Sequence, residues 1–557
     1  MTTKTTDMKK IKYINIILLT LLLVGSCKQE PIVPEVAAAP EPGPAPVKGS
    51  ADFTKFVAIG NSFVAGMQGG ALFTEGQNNS LAAILNKQFQ TVGAPATFNQ
   101  PTIGASLGWN LFVTQPFLTN PTKPILGRML LQGASPKPTP QAYAPGNLEA
   151  LPNPAFNPGF MYTGSKTALN NFSVSAITLG QALTPATGGP PPPAPNPAFT
   201  PFYLRFASSP SPNGASGSSI MSDAKAAGGT FYLFWLGLDD FFLYAAFGGD
   251  PTKAPLTSAG AFAARFNAAL LTASPNTGLL TVDATSKAVI GNFPDIFVMP
   301  HFTAVAYNPI PLNAATATAV SSGFAGYNAA LDGLVANAAA FGISASLVTE
   351  IGTRKVSFSA SSSNKILITD ETLTNLGPYF DGLKNAGAIT QAQRDALSPY
   401  VMVRQTTSSD IIPLATGSIL GTVVGGNPLL VNGVSVPLGD QYVLIPSEIT
   451  AIRAARDAFN STVAGMAASN SSRIALADVS TAMATLLTNK AAVMNGVTIT
   501  PNINPPTGIF SEDGVHPNSR GYAFLSTVFI SAINAKFGST IPLTDISLYN
   551  ATALPIP

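Results

Sequence analysis

Short apolar runs alternate with stretches of helical periodicity along most of this chain, and that alternation restricts its fold more than any other feature. The run FVAIG at residues 56–60 precedes NNSLAAILNKQFQ, where Leu81, Ile84 and Leu85 fall on one helical face. The segment LNNFSVSAITLGQAL (169–183) reads as strand, turn and helix. From residue 229, GTFYLFWLGLDD predicts a buried strand, AGAFAARFNAALLTA (259–273) a helix and KAVIGNFPDI (287–296) another strand. A helix is expected over 323–342, and a second over 447–469 with Ser447 as its N-cap. RIALADVS (473–480) reads as a further strand, and NSRGYAFLSTVFISAINAKFG (518–538) as a closing helix ended by Gly538. Strands separated by helices point to an α/β fold on a parallel sheet with helices on both faces. Functional residues of such sheets gather at the carboxyl ends of the strands.

The intervening segments are irregular. The chain has 49 glycines and 48 prolines among 557 residues, many of them between 100 and 165 and in GGPPPPAPNPAFTP (188–201), where proline removes backbone donors. Residues 355–440 shift to Ser, Thr, Gly and β-branched types, the composition of a hairpin-rich, β-rich insertion. A hydrophobic fraction of 46% against 10% charged residues supplies a large core and excludes disorder of the whole. The net charge is +2, and no basic patch or run points to a nucleic-acid partner.

The N-terminus reads as an address. A basic stretch, KKIK, precedes the apolar run YINIILLTLLLVG and then VGSC at 24–27. The run suits a signal-peptide core and is short for a membrane span. VGSC resembles a bacterial lipobox, which makes residues 1–26 a lipoprotein signal peptide and Cys27 the lipidated residue. An ordinary signal peptide with an incidental cysteine is the alternative. Cys27 is the only cysteine, so intramolecular disulfides and cysteine-based zinc sites are excluded. Residues 27–50 are Pro/Ala-rich and read as an extended tether to a domain over 51–557. The apolar stretch 231–247 carries Asp239 and Asp240 at its centre, a poor spanning helix because each aspartate would cost about 2.5–3.5 kcal/mol there.

Two histidines, His301 and His516, limit the candidates for a general base. His516 lies in FSEDGVHPNSRGYAFL, three residues after Asp513. An aspartate at that spacing can accept from one ring nitrogen and turn the other outward, where it can take a proton from a serine hydroxyl. The same spacing also serves purely local loop order. His301, in VMPHFTAV, reads as structural. Ser62, at the corner of GNSF (60–63), is either a helix cap or a nucleophile at the end of a strand.

GNSF after the first strand, GLDD (237–240) after a middle strand and DGVHP (513–517) near the C-terminus, in that order, resemble the motif blocks of the GDSL or SGNH hydrolases. The resemblance implies a three-layer α/β/α, flavodoxin-like SGNH sheet and hydrolysis of an acyl ester without metal or organic cofactor. It implies Ser62 as nucleophile, His516 as general base and Asp513 as its orienting partner. The family's oxyanion hole is built from the nucleophile's N–H, a glycine N–H and an asparagine side chain. These roles fall on Ser62, on Ser173 in NNFSVSA and on Asp239 in GLDD. An ionised Asp239 has no proton to donate there; it fills the role only if burial beside Asp240 keeps it protonated. The alternative is that the two aspartates simply cap a loop or the next helix. Asn61 and Phe63 also depart from GDSL, at positions that are not principal chemical groups. With the lipobox, the pattern resembles lipid-anchored members from Bacteroidetes-type bacteria. It implies a cell-envelope location, a membrane contact through Cys27, and an ester-bearing small molecule, lipid or acylated glycan as partner. A surface lipoprotein that binds a glycan or lipid without turnover is the second expectation.

Overall fold

The computed structural model describes residues 44–110, 126–133, 137–143, 160–191, 194, 196–273 and 277–552. The leader, Cys27 and the tether up to residue 43 lie outside the described residues, as does much of the 100–165 stretch. Residues 44–50 are exposed and form no helix or strand. Among the described residues no helix is long and apolar enough to cross a membrane. The described residues from 46 onward form one compact unit.

At its centre four strands run parallel in the order β1 (Phe56–Gly60), β2 (Phe231–Trp235), β3 (Lys287–Gly291) and β4 (Ile474–Ala477). Gly60 lies opposite Trp235, Phe234 opposite Ile290 and Ala477 opposite Gly291. Every residue of β1 and β2 is buried. Successive strand side chains point to opposite faces, so both faces of the sheet are covered. Beyond β1 the segment 170–174 continues the pairing: Phe172 N donates to Ala58 O at 2.8 Å and Val174 N to Gly60 O at 3.0 Å. The ends of three adjacent segments, at Ser173, Gly60 and Trp235, therefore open on one edge of the sheet.

The helices that position the site are α1 (Ser62–Ala65), α2 (Leu81–Phe89), α3 (Asp239–Ala246), α4 (Ala259–Leu271), α5 (Pro446–Ser469) and α6 (Ser519–Phe537). α6 packs on β3, β4 and α2, while α5 packs on β3, β4, α3 and α4. Aromatic pairs fill both interfaces: Trp235 of β2 meets Phe529 of α6 edge-on at 5.3 Å, and Phe262 of α4 stacks on Phe459 of α5 at 3.9 Å.

Several boundaries differ from the sequence reading for local reasons. α5 begins at Pro446, so Ser447 is inside the helix and is not its N-cap. The Glu448 carboxylate instead accepts from Ile445 N at 2.8 Å, and proline at the first position has no N–H to satisfy. The helix expected over 323–342 is shorter, Ala325–Ala336, and a separate helix, Ala314–Gly323, precedes it; the two meet at Phe324, whose ring is buried against Tyr400. Residues 355–440 contain short antiparallel pairs, 367–369 with 403–405 and 423–424 with 427–431, but also helices Gly377–Asn385 and Gln391–Ala396. The second of these starts from a Thr390–Gln393 capping box that a composition-level reading passes over. A hydrophobic core separate from that of the sheet runs from Ile310 to Ile445 and includes Ile351, Leu367, Phe380 and Val403. α6 follows expectation: Asn518 caps its start and Gly538, at φ 66°, its end.

Candidate active site

The corner after β1 is held by its own side chains and then by a distant loop. Asn61 Oδ1 accepts from Phe63 N at 3.1 Å, which turns the strand into the single turn of α1 with Ser62 at its first position. Gly66 ends that turn at φ 88°, and a Cβ there would lie 2.5 Å from Gly76 O, so the position admits only glycine. The chain beyond it docks on residues 511–522. Gly69 N donates to Ser511 Oγ at 2.9 Å, Gly70 N donates to Asp513 Oδ2, and the Tyr522 hydroxyl donates to Met67 O at 2.6 Å.

The 511–516 loop is ordered around one carboxylate. Asp513 Oδ1 accepts from Val515 N and His516 N, each at 2.8 Å, while Oδ2 lies 2.8 Å from His516 Nδ1. Burial alone would raise the Asp513 carboxyl, but the facing His516 ring and the loop N–H groups outweigh it and hold the group below its ordinary value. The ring of Phe63, the residue after Ser62, sits 5.3 Å from the His516 ring. Ser62, Asp513 and His516 are thus gathered at one end of the sheet, at 3%, 2% and 1% exposure. His301 packs behind them: its N–H donates to Gly514 O at 2.9 Å and its Nδ1 lies 3.4 Å from Asp513 O. Burial pushes His301 down to about 4, which keeps it neutral.

Asn518 fastens this loop to α6. Its Oδ1 accepts from Gly521 N at 3.0 Å, and its Nδ2 donates to Gly508 O at 2.8 Å and Phe510 O at 3.2 Å. Asn518→Ala removes the helix cap and takes the Nδ2 donor from the buried Gly508 carbonyl, while Phe510 O keeps the Thr552 hydroxyl at 3.0 Å. A loss of about 2–3 kcal/mol in chemical denaturation is expected.

The two aspartates of GLDD have different surroundings. Both begin α3 and both are buried. Asp240 ties elements together: its Oδ2 accepts from Leu179 N at 2.7 Å, its Oδ1 from Thr257 Oγ1 at 2.9 Å, and Arg265 lies 3.9 Å away. Asp239 Oδ2 has no hydrogen-bond partner among the described residues. Burial raises the Asp239 carboxyl to about 7; the Asn61 side chain opposes this and the charge of Asp240 adds to it. A folded value near 7 against 3.8 unfolded means the native state binds this proton more tightly. The stabilisation is complete below about pH 4 and is lost as pH rises through about 7. Relative to Asp239→Asn, which imitates the protonated acid, the wild type is expected to lose on the order of 4 kcal/mol across that window. Urea midpoints of the two proteins at stepped pH measure it; parallel curves would contradict it.

Ser173 also differs from expectation. Its backbone N–H is engaged, donating to Asn171 Oδ1 at 3.0 Å, whereas its buried Oγ has no partner among the described residues. Sequence reasoning passed over Asn61, which bears on Asp239, and Asn171, which occupies the Ser173 N–H. It also passed over the Gly69–Gly70 amides that reach the Asp513 loop. The Asn-x-Ser and Asn-x-Phe spacings, which favour side-chain turns, were the available signals.

Elsewhere, Glu371, Asp440 and Glu448 bring carboxylate oxygens within 4.8 Å of one another. Burial pushes Glu448 up to about 9 and Asp440 to about 6, so Glu448 holds a proton at neutral pH. Compared with known proteins, the chain matches no family model, no curated protein and no solved structure.

Proposed function

We propose that this chain is a serine ester hydrolase of the SGNH type, its covered parallel sheet forming the middle of a three-layer α/β/α arrangement. The observation that carries this reading is the buried Asp513–His516 pair, 2.8 Å apart, docked through Phe63 and the Gly69–Gly70 amides against the turn that bears Ser62. Asp513 fixes the ring with Nδ1–H toward itself, so that Nε2 takes the Ser62 proton as Oγ attacks the ester carbonyl. The alkoxide leaves with that proton, and water then releases the acyl group from Ser62 by the same route in reverse. The substrate is an acyl ester on a small molecule, lipid or glycan, and Cys27 anchors the protein by lipid in a bacterial cell envelope.

The test is hydrolysis of 4-nitrophenyl acetate by the full chain beside Ser62→Ala. Turnover that Ser62→Ala removes is expected, and equal rates in the two proteins would defeat the reading. A second reading, a lipoprotein that binds a glycan or lipid without turning it over, draws support from Asp239, whose ionised form would repel an oxyanion.

A further inference from the structure

Buried polar atoms without a hydrogen-bond partner are rare, and each calls for an explanation. Two occur on either side of the Ser62 turn. Ser173 Oγ belongs to the segment whose next residue, Val174, donates to Gly60 O at 3.0 Å. Asp239 Oδ2 starts the helix after β2, whose last residue, Trp235, lies opposite Gly60. Ser173 and Asp239 are 6% and 4% exposed. The Ser173 N–H is already engaged by Asn171 Oδ1, so the hydroxyl is the group left to act.

Resting on the hydrolase reading, we propose that the oxyanion site of this chain is built from side-chain O–H donors, the hydroxyl of Ser173 and the carboxylic acid of Asp239, with Asn61 as the residue that positions the acid. As Ser62 Oγ bonds to the ester carbon, its proton moves to His516 Nε2 and the carbonyl π pair becomes the oxyanion. That oxygen accepts hydrogen bonds from Ser173 Oγ–H and Asp239 Oδ2–H, and neither donor gives up its proton. When the carbonyl re-forms, the leaving alkoxide takes the proton from His516. The Asn61 side chain bears on the Asp239 carboxyl from the β1–α1 turn, Asp240 lies beside it on α3, and Arg265 reaches Asp240.

The experiment follows 4-nitrophenyl acetate hydrolysis by the full chain from pH 5 to 9, and in parallel the rate at which a fluorophosphonate labels Ser62. Ser173→Ala and Ser173→Gly are each expected to lower kcat and the labelling rate by about 10²–10³-fold with KM little changed. Glycine keeps the backbone N–H, so wild-type rates in Ser173→Gly overturn the hydroxyl assignment. Ser175 Oγ, two residues on, is also buried without a partner among the described residues. Ser175→Ala is expected to leave both rates unchanged, and a loss there instead of in Ser173→Ala overturns the assignment too. Asp239→Asn is expected to keep turnover and to remove the fall of kcat/KM above neutral pH, while Asp239→Ala loses about 10²-fold at all pH values. Equal behaviour of Asn and Ala at residue 239 overturns the acid's role. Asn61→Ala is expected to move the alkaline limb of the wild-type profile, which a merely structural effect on folding would not do. Circular dichroism confirms that each variant is folded. Ser62-dependent turnover with normal Ser173→Gly defeats this inference alone; neither turnover nor labelling in the wild type defeats it together with the hydrolase reading.

Discussion

Replacing His516 by alanine is expected to lower kcat for ester hydrolysis by about 10⁵-fold, and adding Ser62→Ala is expected to lower it little further. A serine hydroxyl is too weak a nucleophile without a base, and His301, the only other histidine, is buried behind Asp513 and held neutral. Nothing else in the chain with an imidazole can substitute. In the proposed mechanism base and nucleophile act in one step, so their losses are expected not to add: once either is gone, the residual rate comes from binding and oxyanion stabilisation alone. Ser62→Ala is the gentler change, since it removes one hydroxyl at the start of a short helix. His516→Ala removes the ring that faces the Asp513 carboxylate and leaves a buried charge short of a partner, so its fold is checked by denaturation. Single-turnover kinetics on both single variants and the double variant measure the effect. A double variant slower than either single by a further large factor would mean that the two residues do not work in the same step.

The central strands and closing helix were legible because they rest on periodicity, which a sequence displays directly. Phe56–Gly60, Phe231–Trp235 and Ile474–Ala477 are short apolar runs bounded by breakers, and Asn518 and Gly538 punctuate α6 at the positions where helix ends need them. The Asp513–His516 contact was legible for a related reason: three residues on one tight loop cannot separate far. What stayed hidden depends on residues distant along the chain. Asn61 looked unimportant because its significance lies in bearing on Asp239, nearly two hundred positions away. Ser173 was assigned a backbone donor because a sequence records the residue, not that Asn171 turns its side chain to occupy that N–H. The 355–440 segment was read as β-rich from its Ser, Thr, Gly and β-branched content. Its helices are set by caps and by buried residues such as Phe380 and Leu383, which composition averages away.

Asp513→Asn is expected to lower kcat by about 10⁴-fold while leaving a folded protein, and the hydrogen bonds around the carboxylate say why. Oδ1 accepts two backbone N–H groups, from Val515 and His516, whereas Oδ2 accepts one, from Gly70, and faces His516 Nδ1. An asparagine must put its NH₂ at one of these places. At the Oδ1 place it would confront two N–H donors; at the Oδ2 place it confronts one, and the imidazole beside it can change tautomer to accept. The second orientation is the less costly. It leaves the Asp513 loop in position but moves the ring proton to Nε2, the nitrogen that takes the Ser62 proton in the proposed mechanism. The base is then blocked without being displaced, so kcat falls while KM and the fold persist. The change also removes a carboxyl held below its ordinary value, one whose stabilisation is present above an unfolded value of 3.8 and lost as pH falls through the folded one. Wild type and variant are therefore expected to differ in stability near neutral pH and to converge in acid. Proton NMR of the imidazole region gives the decisive signal, a Nδ1–H resonance present in the wild type and absent in Asp513→Asn. Near-wild-type kcat in the variant would show that Asp513 orders its loop and does no more.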